Sequence, residues 1–360
     1  MKVWRVVRRF LAVLGVTLFA VVVAFFAAVT VICRGPSSQA RGLFVTTVME
    51  TSAAKFLARM YFSDEEIAAI RQQNAVIETD LVTDDTAFVP AAPTETEKPL
   101  VIEDVTGGSF KGKMMIVRDP KRLFVGTSAP YDGRAGKKLE ELVKLHGAVG
   151  GINAGGFRDE KGFGNGGTPI GIVISGGALL YGAPTTVTTV IGFDGDGKLI
   201  VGKMSAAAAL EKGIREAVSF GPVLVANGQA APVAGTGGGL NPRTAIGQRA
   251  DGAVLLLVID GRQSHSLGAG YKDCQNVMLQ YGAVNAANLD GGSSTLMIYE
   301  NAPVNYCASL YGSREIPTSF LVRWRHEKTR IFEGDCRFGG GVCRADRGRD
   351  GHFLETARQL

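Results

Sequence analysis

The chain has 360 residues, 46% of them hydrophobic and 20% charged, which is enough to bury one large core or two modest ones and excludes a disordered protein. Lys and Arg number 39 against 34 Asp and Glu, with no basic run in residues 101–325, so nucleic acid is excluded as a partner. The 48 glycines follow no Gly-X-Y period and point to many tight turns between short strands, hence a β-rich domain.

Residues 1–9 form a basic segment with Lys2, Arg5, Arg8 and Arg9, and residues 10–33 then run without a charge. A stretch of 24 residues is long enough to cross a bilayer core of about 30 Å at about 1.5 Å per residue. A cleaved signal peptide is the rival reading, but signal cores are shorter and end in a small-x-small site, whereas Ile32 and Cys33 close this run. The expectation is a single-pass anchor. Four basic residues precede the span and two, Arg34 and Arg41, follow it, which places the amino terminus in the cytoplasm and the rest of the chain outside.

Residues 34–99 read as stem and linker. A helix is expected over 45–75, with Ser63 and Glu66 forming a capping box, and its plainest role is that of a spacer. The polar, proline-containing stretch 83–99 is a linker, and a compact domain is expected over 100–325. Within it, "PIGIVISGGALLYG" and "TTVIGFDGDGKLIVG" read as hairpins, and "GAVLLLVIDG" as a buried strand ending at Asp260. "GKKLEELVKLHG" and "YKDCQNVMLQYG" read as helices, with His146 at the end of the first. Residues 326–360 mix both charges with little apolar periodicity and are expected to be disordered.

The five cysteines, Cys33, Cys274, Cys307, Cys336 and Cys343, fit no zinc spacing. An oxidising exterior would permit a Cys336–Cys343 or a Cys274–Cys307 bridge, and the sequence does not choose. His146, His265, His326 and His352 are too scattered for a transition-metal cluster. No cofactor is required, and a divalent cation, calcium or magnesium, is left open.

"GAVGGINAGG" (147–156) and "GAVNAANLDG" (282–291) match at five of ten positions, each after an amphipathic helix. The match aligns Asn153 with Asn288 and Gly156 with Gly291, so two similar strand ends present two asparagines to a shared space, unless chance or a common helix-to-strand turn explains the likeness. Asparagine both donates and accepts hydrogen bonds, and glycine lets a ligand approach the backbone, so the pair suits a polar ligand. Other motifs fail their structural conditions. "GFGNGG" is followed by Pro169 where a dinucleotide-binding helix should begin, no Gly-Lys-Ser/Thr or G-x-S-x-G occurs, and "DGDG" lacks the acidic residue that completes a calcium loop.

Four spaced motifs remain: "INAGGFRDE", "NPRTAIG", "VIDGRQSHSLG" and "NLDGGSST". In this order they resemble the phosphodiester glycosidases, over roughly residues 101–325. The lone Phe157, where an aromatic pair is common, and the form "DGGSST" depart from the pattern and bear on substrate detail. The expected fold is α+β, a mixed or antiparallel β-rich catalytic domain with a few packed helices, preceded by one transmembrane helix that the resemblance does not cover. The resemblance implies hydrolysis of a sugar-1-phosphodiester, with a phosphodiester-linked glycan of a cell wall or exopolysaccharide as substrate. Ordinary glycosidases need two carboxylates because an alkoxide leaves badly; a phosphate monoester is already a stable anion, so the acid becomes dispensable and a cationic clamp valuable.

The residues in motif positions take roles accordingly. Asp290 is the candidate nucleophile, base or oxocarbenium stabiliser, against a structural turn aspartate. Arg243 is the candidate phosphate clamp, against an ion pair, and Asp260 orients Arg243 or a metal, against structural pairing. Asn153 and Asn288 would bind sugar hydroxyls, with Gly155, Gly156, Phe157, Asn241, Thr244, Arg262, Gly291, Gly292, Ser293 and Ser294 completing the substrate site. Two other classes stay open: a non-catalytic phosphoglycan-binding module, and a phosphodiesterase cutting the P–O bond.

Overall fold

The computed structural model describes residues 2–77, 81–84, 98–158, 164–309 and 312–324; the tail expected to be disordered, the Cys336–Cys343 pairing and most of the linker lie outside the described residues. Seven α-helices are described: α1 (Lys2–Arg34), α2 (Ser38–Met49), α3 (Lys55–Arg59), α4 (Asp64–Gln72), α5 (Leu139–Leu145), α6 (Ala206–Glu211) and α7 (Tyr271–Gln280). The strands form three antiparallel sheets, the expected β-rich α+β architecture.

The first sheet runs in the order Leu100–Thr106, Lys111–Val117, Val254–Ile259, Arg243–Arg249, Ala283–Leu289, Val223–Ala226, Gln229–Ala230. The second runs Ala302–Pro303, Met297–Tyr299, Ala148–Asn153, Thr318–Arg323, Leu123–Thr127. The third runs Ala178–Tyr181, Val173–Ser175, Ile214–Ser219, Val187–Asp194, Leu199–Ser205. Both expected hairpins are present, the shorter turning through Gly176 and Gly177 at φ of 60° and 81°, where a β-carbon would be strained.

The unbroken apolar run of Val254–Ile259 has a clear cause. Alternate side chains point to opposite faces of a strand, and here both faces are covered. Val254, Leu256 and Val258 enter the central core shared by all three sheets, while Leu255, Leu257 and Ile259 enter a second core beneath α7. Helix α5 covers the second sheet through Leu139, Leu142 and Val143, and α6 covers the third through Ala206 and Ala209.

The stem differs from expectation in two ways. It is not one helix over 45–75: α2 stops at Met49, a 3-10 turn and α3 follow, and α4 restarts at Ser63. The capping box explains the restart, since the Ser63 side chain accepts from Glu66 N and the Glu66 carboxylate accepts from Ser63 N, leaving Ser63 extended and outside the helix. Nor is it a free spacer. Val45, Val48, Ala58 and Ile67 form its own small core, and the chain is then stitched to the domain: Leu240 N donates to Thr47 Oγ1 (3.0 Å), Ile77 N to Pro232 O (2.9 Å) and Thr83 N to Val201 O (3.0 Å). Cys274 and Cys307 are both free thiols, so the Cys274–Cys307 bridge is not made; Cys274 is fully buried under α7, where desolvation pushes its pKa up to about 12.

Candidate active site

Antiparallel register gathers the motif residues at one end of the first sheet. Arg243 pairs with Ile259 and Thr244 with Leu289, so Arg243 begins its strand where Asp260 and Asp290 end the two neighbouring ones. The second sheet meets them there: Asp290 N donates to Ala154 O (2.9 Å), just beyond Asn153.

Arg243 is 4% exposed and heavily committed. Its Nε donates to Ala269 O (3.0 Å), its Nη2 to Gly239 O (2.8 Å), and its guanidinium carbon lies 4.0 Å from the centroid of the Tyr271 ring. Its carboxylate partner is Glu50, the C-cap of α2, with Oε2 at 2.9 Å from Nη2. Burial works against the Arg243 charge, but Tyr271 and Glu50 beside it hold its pKa above the ordinary value. The same Glu50 Oε2 accepts from Asn241 Nδ2 (2.7 Å), while Arg262 Nη2 donates to Glu50 O (2.9 Å) and to Asn241 Oδ1 (2.8 Å). Arg262 sits at φ 58°, in the left-handed region that a non-glycine residue rarely takes, and burial depresses its pKa. One guanidinium group, that of Arg243, and the Asn241 amide thus hold the Glu50 carboxylate, while the Arg262 guanidinium takes the backbone carbonyl of the same stem residue.

Asp260 does not orient Arg243. Its Oδ1 accepts from Asn305 Nδ2 (3.0 Å) and Tyr306 N (3.1 Å), and its Oδ2 lies 3.1 Å from His265 Nε2, whose ring packs edge-on to Tyr306 at 5.0 Å. The tight turn pairing Gln263 with Ser266 brings His265 back to Asp260.

Asn153 acts as a clasp between sheets: its Nδ2 donates to Asp290 O (2.6 Å), and its Oδ1 accepts from Thr244 Oγ1 (2.9 Å) and Leu296 N (3.1 Å). Thr295 Oγ1 lies 3.3 Å from the Thr244 hydroxyl. Asn288 is 1% exposed; its Nδ2 donates to Gly221 O (2.9 Å) and Leu289 O (2.8 Å), but its Oδ1 has no hydrogen-bond partner among the described residues.

The glycines of the motifs serve close approach. A β-carbon on Gly156 would meet the Phe220 ring at 2.5 Å, one on Gly155 the Thr318 hydroxyl at 2.9 Å, and one on Gly291 the Pro242 carbonyl at 2.8 Å. Gly292 has φ 62° and opens the short 3-10 turn Gly292–Ser294, in which Ser294 is buried and the Ser293 carbonyl accepts a long contact from Cys307 Sγ (3.6 Å). Phe157 faces the core beneath α5, its ring capped by Arg314 at 4.8 Å.

A cleft of about 580 Å³ lies between stem and domain beside this cluster, lined among others by Glu50, Gly238, Tyr271, Ile170, Phe220 and Pro222. That volume falls within the ~300–1,000 Å³ of small-molecule sites. Among the described residues no group of three or more His, Cys, Asp or Glu side chains is placed to hold a metal ion. The sequence had not singled out Glu50, His265, Tyr271 or Asn305. Glu50 carries no local signal, because it lies about 190 residues from its partners Asn241 and Arg243 and joins them only through the packing of α2.

Residues 146–323 match the family model described as phosphodiester glycosidase. The chain is 28% identical over 244 residues to the SPbeta prophage-derived uncharacterized protein YomE of Bacillus subtilis (strain 168), covering 62% of this chain and 37% of that protein. It is also 28% identical over 244 residues to the N-acetylglucosamine-1-phosphodiester alpha-N-acetylglucosaminidase of Bos taurus, covering 61% and 44% respectively, so it spans less than half the length of these relatives. In fold it is similar to the catalytic domain of the zebrafish N-acetylglucosamine-1-phosphodiester alpha-N-acetylglucosaminidase, auto-inhibited by pro-peptide, at 21% identity and a TM-score of 0.55, covering 66% of this chain and 87% of that one. With four motifs in order, three antiparallel sheets in that fold and the family match over the strands that carry the site, residues 146–323 form a domain of the phosphodiester glycosidase family.

Proposed function

We propose that the domain hydrolyses a glycosyl phosphodiester, cleaving the anomeric C–O bond so that the sugar leaves its phosphate. The observation that carries this reading is the occupied anion site: Arg243 and Asn241 hold the Glu50 carboxylate, and Arg262 closes on the same residue. A phosphodiester carries the single charge of that carboxylate on two terminal acceptor oxygens, and arginine suits it for the same reason. Glu50 then acts as an internal occupant that substrate displaces, in keeping with a related catalytic domain that is auto-inhibited by pro-peptide.

Asp290, at the adjacent strand end, acts at the anomeric carbon, where a carboxylate stabilises developing positive charge or attacks it. Asn288 offers its unpartnered Oδ1 to a sugar hydroxyl. Asp260 fixes His265, the Asn305 side chain and the Tyr306 amide. No general acid need protonate the leaving group, since the phosphate monoester departs as a stable anion. The substrate lies in an extracytoplasmic glycan, a wall or exported polysaccharide: α1 is long and apolar enough to cross a membrane, and the basic residues before it favour a cytoplasmic amino terminus.

The test is incubation of the purified full chain in detergent with methyl and aryl esters of sugar-1-phosphates in water enriched in oxygen-18. The expected products are free sugar carrying the label and unlabelled phosphate monoester. Label in the phosphate would establish a P–O phosphodiesterase instead, and saturable binding without released sugar would establish a binding module.

A further inference from the structure

The stem grips the end of α1. Tyr61 Oη lies 2.7 Å from Thr30 Oγ1, Arg34 Nη2 donates to Tyr61 O (2.8 Å), and Arg41 Nε donates to Cys33 O (2.9 Å). Val29 and Cys33 are 3% and 1% exposed, whereas apolar side chains from Val3 to Phe25 remain largely open. Counted from Phe10, where the charge-free stretch begins, the ~30 Å of a bilayer's hydrocarbon takes about 20 helical residues and so ends near Thr30. The stem therefore begins where the hydrocarbon would end.

At that level the stem shows an apolar face of its own. Phe56 and Met60, four residues apart on one side of α3 and its C-cap, are 55% and 58% exposed, and Lys55 and Arg59 flank them. Arg59 pairs with Asp64 at 3.4 Å, and the exposed acids Asp64, Glu65 and Glu66 belong to the first turn of α4 rather than to this face. Apolar tips between long basic side chains are the composition of a segment lying in the headgroup boundary. The site is close by: Glu50 closes α2, whose 12 residues span only about 18 Å from the end of α1. The cleft that opens at Glu50 adds apolar walls from both sides, Val76 and Ile77 of the stem and Ile170 and Phe220 of the domain.

We propose that the stem face bearing Phe56 and Met60 beds into the headgroup boundary of the bilayer crossed by α1, and that the site beside it takes glycosyl phosphodiesters whose second ester is a membrane-held long-chain alcohol. This rests on the hydrolytic reading above and on α1 spanning the membrane, and it adds where the substrate is presented and what its leaving group carries.

The test uses the full chain reconstituted in vesicles of phosphatidylcholine and phosphatidylglycerol, with Phe56→Trp in a Trp4→Phe, Trp324→Phe background. Quenching of the new tryptophan by brominated phosphatidylcholine, with protection from iodide, is expected; quenching by iodide alone overturns the docking. In a second arm, N-acetylglucosamine-1-phosphate esterified to a long-chain alcohol is mixed into the same vesicles, and its methyl ester is supplied in solution. Phe56→Ser with Met60→Ser should lower kcat/KM about tenfold on the membrane-held ester while leaving the methyl ester unchanged. Equal loss on both esters, or no loss on either, overturns the proposal. If wild type releases sugar from neither ester, the hydrolytic reading has failed for this sugar and the substrate half of the proposal falls with it, while the quenching arm still decides the docking.

Discussion

Two stretches of the chain repeat one local pattern, an amphipathic helix, a Gly-Ala-Val strand and an asparagine, yet the two asparagines are used differently. After α5 the strand Ala148–Asn153 lies in the second sheet, and Asn153 has its amide nitrogen and oxygen both engaged, to Asp290 O, Thr244 Oγ1 and Leu296 N. After α7 the strand Ala283–Leu289 lies in the first sheet, and Asn288 engages only its nitrogen, leaving a buried oxygen without a partner. The first asparagine joins two sheets; the second keeps a hydrogen-bonding capacity in reserve beside Gly221, which lines the cleft. Alike in sequence, they are divided by what surrounds each strand end: Asn153 arrives between three polar partners, Asn288 against two backbone carbonyls that engage its nitrogen alone.

The largest effect should come from cutting the clasp. Asn153→Ala takes the partner from Leu296 N and from the Asp290 carbonyl, at about 1–3 kcal/mol each, so a loss of about 4 kcal/mol is expected in urea unfolding. A loss below about 1 kcal/mol would show that the two sheets do not depend on it.

Next comes Asp290, whose carbonyl the clasp holds. Asp290→Asn keeps the shape and removes the charge, so kcat should fall about 100-fold or more with little change in binding of a substrate-like diester. A turn aspartate would give wild-type turnover, and that result would remove the proposed catalytic role.

Asn288→Ala should separate the two copies most clearly. It gives up two donated bonds to backbone carbonyls, so stability should drop by about 1–2 kcal/mol, less than for Asn153→Ala. Activity should show the reverse order per unit of stability, with kcat/KM about tenfold lower at a temperature where the variant is fully folded. Unchanged kcat/KM would mean that the free oxygen meets no substrate.

The smallest effect lies at the helix starts. Helix α7 has the Asp273 carboxylate accepting from Gly270 N, while α5 begins at the exposed Lys138 with no side-chain cap. Lys138→Ser should add about 0.5–1 kcal/mol by capping α5, visible as a modest rise in Tm. No gain would indicate that the α5 amides are already satisfied in solution.

Much of this was legible in the chain itself. The hairpins at Gly176–Gly177 and at Asp194–Lys198, the Ser63 capping box, the buried strand 254–259, helices α5 and α7 and the recurrence of Asn153 and Asn288 all follow from short-range pattern. Turns, caps and apolar periodicity are set by neighbours within a few residues, whereas the spaced motifs of Arg243, Asp260 and Asp290 were legible through their resemblance to a known family. What only tertiary structure decided is who meets whom. Register placed Arg243 between Asp260 and Asp290, but the carboxylate on Arg243 came from Glu50, nearly two hundred residues away, because α2 packs where Thr47 accepts from Leu240 N. Asp260 went instead to His265 and Asn305, through a turn and a loop that no periodicity marks. The physical reason is common to both: a buried charge must find a partner wherever the packed chain supplies one, and that partner is chosen by the packing of whole elements rather than by sequence spacing.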